Sequence, residues 1–390
     1  MMSYKRYLLV VIILLSCPSL VWGNEFQLVP SISVKEEYNS NIFFLTDNIS
    51  KDFITTISPG IEMVNNTEIL ETDLLARLNR FDYADNRELS ATDQLYIGKF
   101  RYRATPLLNI STEAGYVRDS QPDRDIGTSG IILSNVPRNR YNASLSADYQ
   151  LSEKTALGAS YAFGKDNYES TKYSDDVSHG VNAGLTYDLS QYIQRLKGRV
   201  NLGYSNYAFS DSKIDSVMGT VGFSWDFSET GVIIIDGGIR HTSSELSYGL
   251  IQLNNDDWGW VCNVSLNYKG ERGNDSLTYN RDITPASGLN GAVERNALIL
   301  STQYRMTSEF SILFAAGYYT NKSDAGQFST QAIDWRSILI SPGVRYEFSK
   351  DISLEASYDY TLIDDLTSNT TVNRNLVSIR LYIQHPFWSK

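Results

Sequence analysis

The stretch that decides the fold is Arg140 to Phe163, RYNASLSADYQLSEKTALGASYAF. Taken alternately, Tyr141, Ala143, Leu145, Ala147, Tyr149 and Leu151 form an apolar series, and Arg140, Asn142, Ser144, Ser146, Asp148 and Gln150 form a polar one. Side chains of a strand point to opposite faces in turn, so this is a strand with one apolar and one polar face. After a turn at Ser152-Glu153-Lys154, Thr155, Leu157, Ala159, Tyr161 and Phe163 resume the apolar series against the small residues Ala156, Gly158, Ser160 and Ala162. The two strands form a β-hairpin. The alternation outlasts the usual strand of about 5–6 residues in a soluble sheet. It reaches the roughly 9–11 tilted residues that cross a bilayer, with aromatic rings toward both interfaces. The hairpin reads as one unit of a transmembrane barrel.

The pattern recurs along the chain. Strands are expected at 27–38, 52–64, 69–82, 91–105, 107–119, 138–150, 154–168, 177–190, 196–209, 214–228, 231–243, 258–270, 273–283, 293–306, 309–321, 333–349, 351–364 and 373–386. The fold class is therefore all-β, an up-and-down antiparallel transmembrane barrel of eighteen strands, or sixteen if the polar pair around Lys269 to Asp282 folds outside the wall. Connections alternate between tight turns, such as Thr105-Pro106 and Ser349-Lys350-Asp351, and long polar loops at Asn39 to Lys51, Ser120 to Pro137, Glu169 to Asp176, Ser244 to Asp257 and Lys322 to Ala332. Short turns on one side and long loops on the other are the pattern of outer-membrane barrels. A closed barrel also leaves no unpaired edge in a solvent that cannot hydrogen-bond to it.

Bulk composition agrees. The 390 residues include 26 tyrosines against 6 tryptophans, a bias suited to rings that are apolar in body and wet at the tip. The only long apolar run, Tyr7 to Ser16, follows Lys5 and Arg6 and precedes Val21-Trp22-Gly23. That reads as a secretory signal over 1–23, with the barrel over 24–390. Leu14-Leu15-Ser16-Cys17 offers a second cleavage pattern that would leave Cys17 lipidated. Removing Lys5 and Arg6 leaves 32 basic against 45 acidic residues, a charge of -13, which disfavours nucleic acid as a partner. Cys262 would be the one cysteine left, so no internal disulfide forms.

Parity assigns the lumen. With Tyr96, Gly98, Phe100 and Tyr102 toward lipid, Lys99, Arg101 and Arg103 face inward, and Glu71, Asp73, Arg77 and Asn79 do so on the preceding strand. Lys197, Arg199, Arg345 and Arg380 are inward bases, and Glu355, Asp359, Asp188, Asp226, Asp236 and Glu347 are inward acids. Two readings of these pore-lining candidates stand: a charged constriction that sorts anions or sugar chains, or ion pairs that hold the wall, with the greater weight on the second. Tyr207, Tyr319 and Tyr382 face inward too, with packing favoured over sugar stacking for each. Eighteen strands leave room for water. The loop Ser120 to Pro137, with Ile131-Ile132-Leu133 at its centre, is the candidate plug.

Chemistry is sparse. His179, His241 and His385 are the only histidines, and the nearest constellation, His241 with Asp236, Ser243 and Ser244, is no convincing triad. No metal-ligand or phosphate-loop spacing occurs, so neither enzyme activity nor a cofactor is expected. Asp123 with Asp125, and Asp256 with Asp257, read as solvated loop acids in preference to a calcium site.

The opening VPSISVKEEYNSNIFFL, with Glu37, Tyr38, Asn41 and Ile42, resembles the start of the β-barrel porin type 2 family. The blocks RNRYNASLSADYQLSEKTALGASYAFGKDNY and VNAGLTYDLS resemble its repeated hairpins. The resemblance implies an outer-membrane barrel of a Gram-negative bacterium, in contact with outer-membrane lipid and the barrel-insertion machinery. It further implies passage or export of polar solutes, with exopolysaccharide the first named cargo; the alternative is a plugged barrel that serves as a surface scaffold or adhesin through its loops. The chain departs from the pattern at its end, where Pro386-Phe387-Trp388 is followed by Ser389-Lys390 in place of a terminal aromatic residue.

Overall fold

The computed structural model describes residues 25–127, 135–248, 251–286 and 288–389. The expected signal segment over 1–23, including Cys17, and the Ile131-Ile132-Leu133 centre of the candidate plug lie outside the described residues. The strands are Glu25–Asn39 (β1), Asp52–Asn66 (β2), Leu70–Tyr83 (β3), Ala91–Thr105 (β4), Leu108–Asp119 (β5), Arg138–Ser152 (β6), Thr155–Tyr168 (β7), Asp176–Asp188 (β8) and Leu196–Phe209 (β9). They continue as Ser212–Trp225 (β10), Gly231–Tyr248 (β11), Ile251–Lys269 (β12), Gly273–Pro285 (β13), Ala292–Arg305 (β14), Phe310–Ser323 (β15), Ile333–Glu347 (β16), Ile352–Asp365 (β17) and Thr370–Gln384 (β18), with a two-residue β19 at Trp388–Ser389.

From β1 to β18 each strand pairs antiparallel with its sequence neighbours, and β1 pairs with β18 from Ser31↔Gln384 to Asn39↔Leu376, which closes the barrel. Eighteen strands form the wall. The sixteen-strand alternative fails because β13 is bonded on both sides, to β12 and to β14. Past Pro386, which has no N–H to give, Phe387 donates to the Leu28 carbonyl (2.8 Å) and β19 pairs with Gln27 and Leu28. The chain end thus lengthens the closing seam along β1.

The outer face is apolar and exposed, as lipid requires. Tyr141, Leu145 and Tyr149 on β6, Leu157 and Tyr161 on β7, and Val377, Ile379, Leu381 and Ile383 on β18 all lie open on it. Since every strand of a closed barrel is a central strand, a proline leaves a visible gap: β2 and β3 pair at Ile57↔Arg80 and again at Gly60↔Arg77, skipping Ser58 and Pro59. The same gap occurs on β16 at Ser341 and Pro342.

One expected loop is a strand. Ser244 to Asp257 read as a long polar connection, yet β11 runs to Tyr248 and β12 starts at Ile251, paired rung by rung. Above the membrane a hairpin needs no lipid-facing apolar series, so the ladder continues where the sequence signal has stopped.

Candidate functional site in the barrel lumen

The inward side of the wall is polar and the loops at its long-loop end fold back into it. Foremost is the connection between β5 and β6. Ser120 donates its N–H and hydroxyl to Asp93 of β4, and Tyr83 of β3 donates to the Gln121 side chain. The loop then crosses the lumen. Asp123 meets Arg374 of β18 at 2.6 Å, and the Gly127 carbonyl accepts a 2.7 Å hydrogen bond from Arg295 of β14, nine strands from β5 and so on the opposite wall. Ile126 is buried against Phe44, Ile363, Trp335, Leu339 and Val372.

The near end of the loop is bolted by ion pairs. Arg138, fully buried at the top of β6, bonds Asp119 (2.7 Å), Asp125 (2.7 Å) and Asp166 (3.1 Å). Arg140 bonds Asp166 at 2.6 Å, and Arg124 bonds Asp119 at 3.2 Å. Buried charges need this many partners because each has lost its water. Asp123 and Asp125, read from sequence as solvated loop acids, are instead ion-paired, and Asp125 is wholly buried. Their spacing on a polar loop carried no sign that the loop would turn inward. Burial alone would raise the Asp123 carboxyl, but the charge and hydrogen bond of the Arg374 guanidinium outweigh it and hold that carboxyl below its ordinary value of 3.8.

The loop between β1 and β2 seats the far tether. Phe44 is buried with φ 54°, a conformation rare for an aromatic residue, and its ring lies 4.7 Å beneath the Arg374 guanidinium. On the β10–β14 side the loop between β15 and β16 folds in likewise: Phe328 packs on Ile214, Ile283 and Ala292, and Arg240 stacks over its ring at 5.8 Å.

Below the tether two cavities lie one above the other along the wall of β16–β18 and β1–β3. The upper, about 450 Å³, includes Asp123, Arg374 and Asp359; the lower, about 810 Å³, reaches the turn at Ser349 to Asp351. They share Lys35, Glu355 and Arg380. The strand register explains why. Arg345, Glu355, Arg380 and Lys35 stand directly opposite one another on β16, β17, β18 and β1, forming one row around the lumen. Glu355 is engaged by Arg345 at 2.7 Å, and Lys35 by Glu37. Among the described residues Arg380 and Arg77, which lines the lower cavity from β3, have no hydrogen-bonded or ion-paired partner.

The other sequence candidates are placed as follows. Lys99 and Arg101 line a separate cavity of about 480 Å³, Lys99 between Asp73 and Glu113 in register and Arg101 bonded to Glu71 at 2.8 Å. Arg103 turns to the rim and donates to the Glu68 carbonyl. The run of three bases is thus largely balanced by neighbouring acids. Arg199 pairs with Asp236 at 3.5 Å across β10, which Gly222 permits: a Cβ there would sit 2.0 Å from the Ile235 carbonyl and 2.5 Å from the Asp236 carboxylate. Lys197 is exposed at the end of β9 opposite Asp188. Asp188 closes β8 in register with Lys197, and Asp226 falls outside the wall strands. The first accepts from Ser190 in the β8–β9 turn, and the second lies in the turn after Trp225, since both strands end sooner than alternation suggested.

Tyr319 lies under Arg295 at 4.6 Å and Tyr207 packs against the Ile214 cluster, so both rings are used in packing; Tyr382 lines the lower cavity. His241 stacks on Trp258, on the face opposite Asp236 and Ser244. Sequence parity missed Lys35, Arg138, Arg295 and Arg374, although each has inward parity. The three arginines sit near strand ends where the apolar series no longer frames them.

A closed antiparallel wall with an apolar outer face around a charged, loop-narrowed lumen defines the class: this is an eighteen-stranded β-barrel of the membrane-spanning kind. Residues 226–381, less than half of the chain, match the family model described as MetA-pathway of phenol degradation. No curated protein sequence matches the chain. Among solved structures it is similar to OpdO of Pseudomonas aeruginosa (11% identity, 94% of this chain and 99% of that one, TM-score 0.47) and to OccAB4 of Acinetobacter baumannii (10%, 94% and 99%, TM-score 0.45). It is also similar to the ferric citrate transporter FecA (12% identity, 88% of this chain, TM-score 0.47), of whose length it spans 60%.

Proposed function

We propose that this barrel is a passive outer-membrane channel for small polar solutes, whose passage runs along the β16–β18 and β1–β3 wall and is narrowed by the β5–β6 loop. The observation that carries the reading is the pair of stacked polar cavities that share Lys35, Glu355 and Arg380 directly beneath the Asp123–Arg374 tether. Fixed charges along a water-filled path admit polar solutes and discriminate by sign, while the loop sets the size. Exopolysaccharide, the finer expectation, has less behind it: a sugar chain is held best by ring faces, and Tyr207 and Tyr319 are occupied in packing.

Swelling of liposomes containing the refolded protein, measured with neutral sugars of increasing size, tests the proposal. Swelling with monosaccharides that falls away by the tetrasaccharide is the expected result; no swelling with any sugar contradicts it. A second reading, a plugged barrel that works as a surface scaffold, draws on the ion-paired inward loop and on the β11–β12 hairpin that runs past the β12–β13 pairing at Cys262↔Arg281. That reading predicts no swelling even with glycerol.

A further inference from the structure

The lower cavity is charged against the sign of the chain. The full sequence carries a net charge of -11, yet five cationic side chains line this cavity against three carboxylates. Two of the three carboxylates already have partners within it or at its rim, Glu355 with Arg345 and Asp351 with His385 at 2.8 Å. Arg380 meanwhile stands between Glu355 and Lys35 in register, and Lys35 repels it. Arg77 faces the same space from β3, held by neither an acid nor a hydrogen bond among the described residues. Two guanidinium groups without partners among the described residues thus line one cavity together with the rings of Phe81 and Tyr382. The guanidinium fork matches two oxygens of a carboxylate or phosphate, and a ring face beside it accepts an apolar body.

We propose that this cavity binds a small organic acid, its carboxylate or phosphate held by Arg77 and Arg380 and its carbon skeleton against Phe81 and Tyr382. The site deepens the channel reading and rests on it only for the route by which the acid arrives. Binding itself is measurable on protein in detergent, where no transport is needed.

The experiment is isothermal titration of the folded full-length mature barrel with benzoate, phenyl phosphate and the neutral analogues benzamide and phenol. Saturable binding of benzoate or phenyl phosphate, with the matching neutral analogue about tenfold weaker or worse, is expected. Which acid binds tighter identifies the oxyanion. R77Q/R380Q, checked for heat-modifiable migration, should lose about tenfold or more of that affinity. Equal binding of acid and neutral analogue, absence of binding by either acid, or unchanged affinity in a folded R77Q/R380Q barrel overturns the site; the first two comparisons need no variant. Sugar swelling is read separately, so a barrel that swells but does not bind acids refutes the site alone, and one that binds without swelling refutes the channel alone.

Discussion

At the scale of the residue, the contact that matters most is Asp123 with Arg374, the bond that holds the β5–β6 loop against β18. A hydrogen bond between charged partners contributes about 1.5–3 kcal/mol. Asp123→Asn removes most of it and should give a wider, noisier conductance in a planar bilayer; unchanged conductance would mean that Ile126 and Arg295 hold the loop by themselves. The sign of the pH effect follows from the lowered Asp123 carboxyl. Its folded-state value lies below its ordinary one, so the tether is fully present above pH 3.8 and is lost as pH falls through the lowered value. Conductance should therefore hold level on acidification to about pH 4 and rise only below it, with that rise absent in Asp123→Asn. Gly222 makes a different kind of demand. Gly222→Val drives a side chain into the Ile235 carbonyl and parts Arg199 from Asp236, and should cost about 1–3 kcal/mol or more in urea unfolding. Wild-type stability in this variant would refute the close approach of β10 and β11.

At the scale of the element, the strands were the most legible part of the chain. Alternation in Arg140 to Phe163 places β6 and β7 within two residues of their observed ends, because lipid on one face and water on the other write a period of two into the sequence. That signal is worth testing where it is strongest. Leu145→Arg, on the lipid face in the middle of β6, should destabilise the refolded barrel by about 2–4 kcal/mol in lipid bilayers; Ser144→Arg, one residue along and facing the lumen, should not. Equal losses would contradict the assignment of faces. Legibility ended where the membrane ended. The polar tips of β11 and β12 read as loop. The apolar Ile131-Ile132-Leu133 marked Ser120 to Pro137 as the candidate plug, but the ion pairs that hold its near end left no trace, since a loop that buries Asp125 against Arg138 and Arg140 is as polar as one that faces solvent. The basic set Lys99, Arg101 and Arg103 is legible because its members take three successive inward positions on one strand. Arg77 and Arg380 stand in one cavity only because β18 closes on β1, a pairing between strands far apart in the chain.

At the scale of the whole molecule, wall and plug divide the work. The wall is built from one repeated unit, the antiparallel hairpin. The loops impose asymmetry on it, packing the long-loop end with buried ion pairs and apolar clusters while the lower cavity extends to the short turn at Ser349 to Asp351. On the proposed reading such a barrel is a pore narrowed by its β5–β6 loop. The most direct measurement is single-channel conductance of the refolded mature protein beside a variant in which residues 121–136 are replaced by a short Gly-Ser turn, both confirmed as heat-modifiable barrels. Small, steady openings are expected for the wild-type chain and several-fold larger ones for the shortened loop. Absence of conductance from both folded barrels would contradict the channel reading.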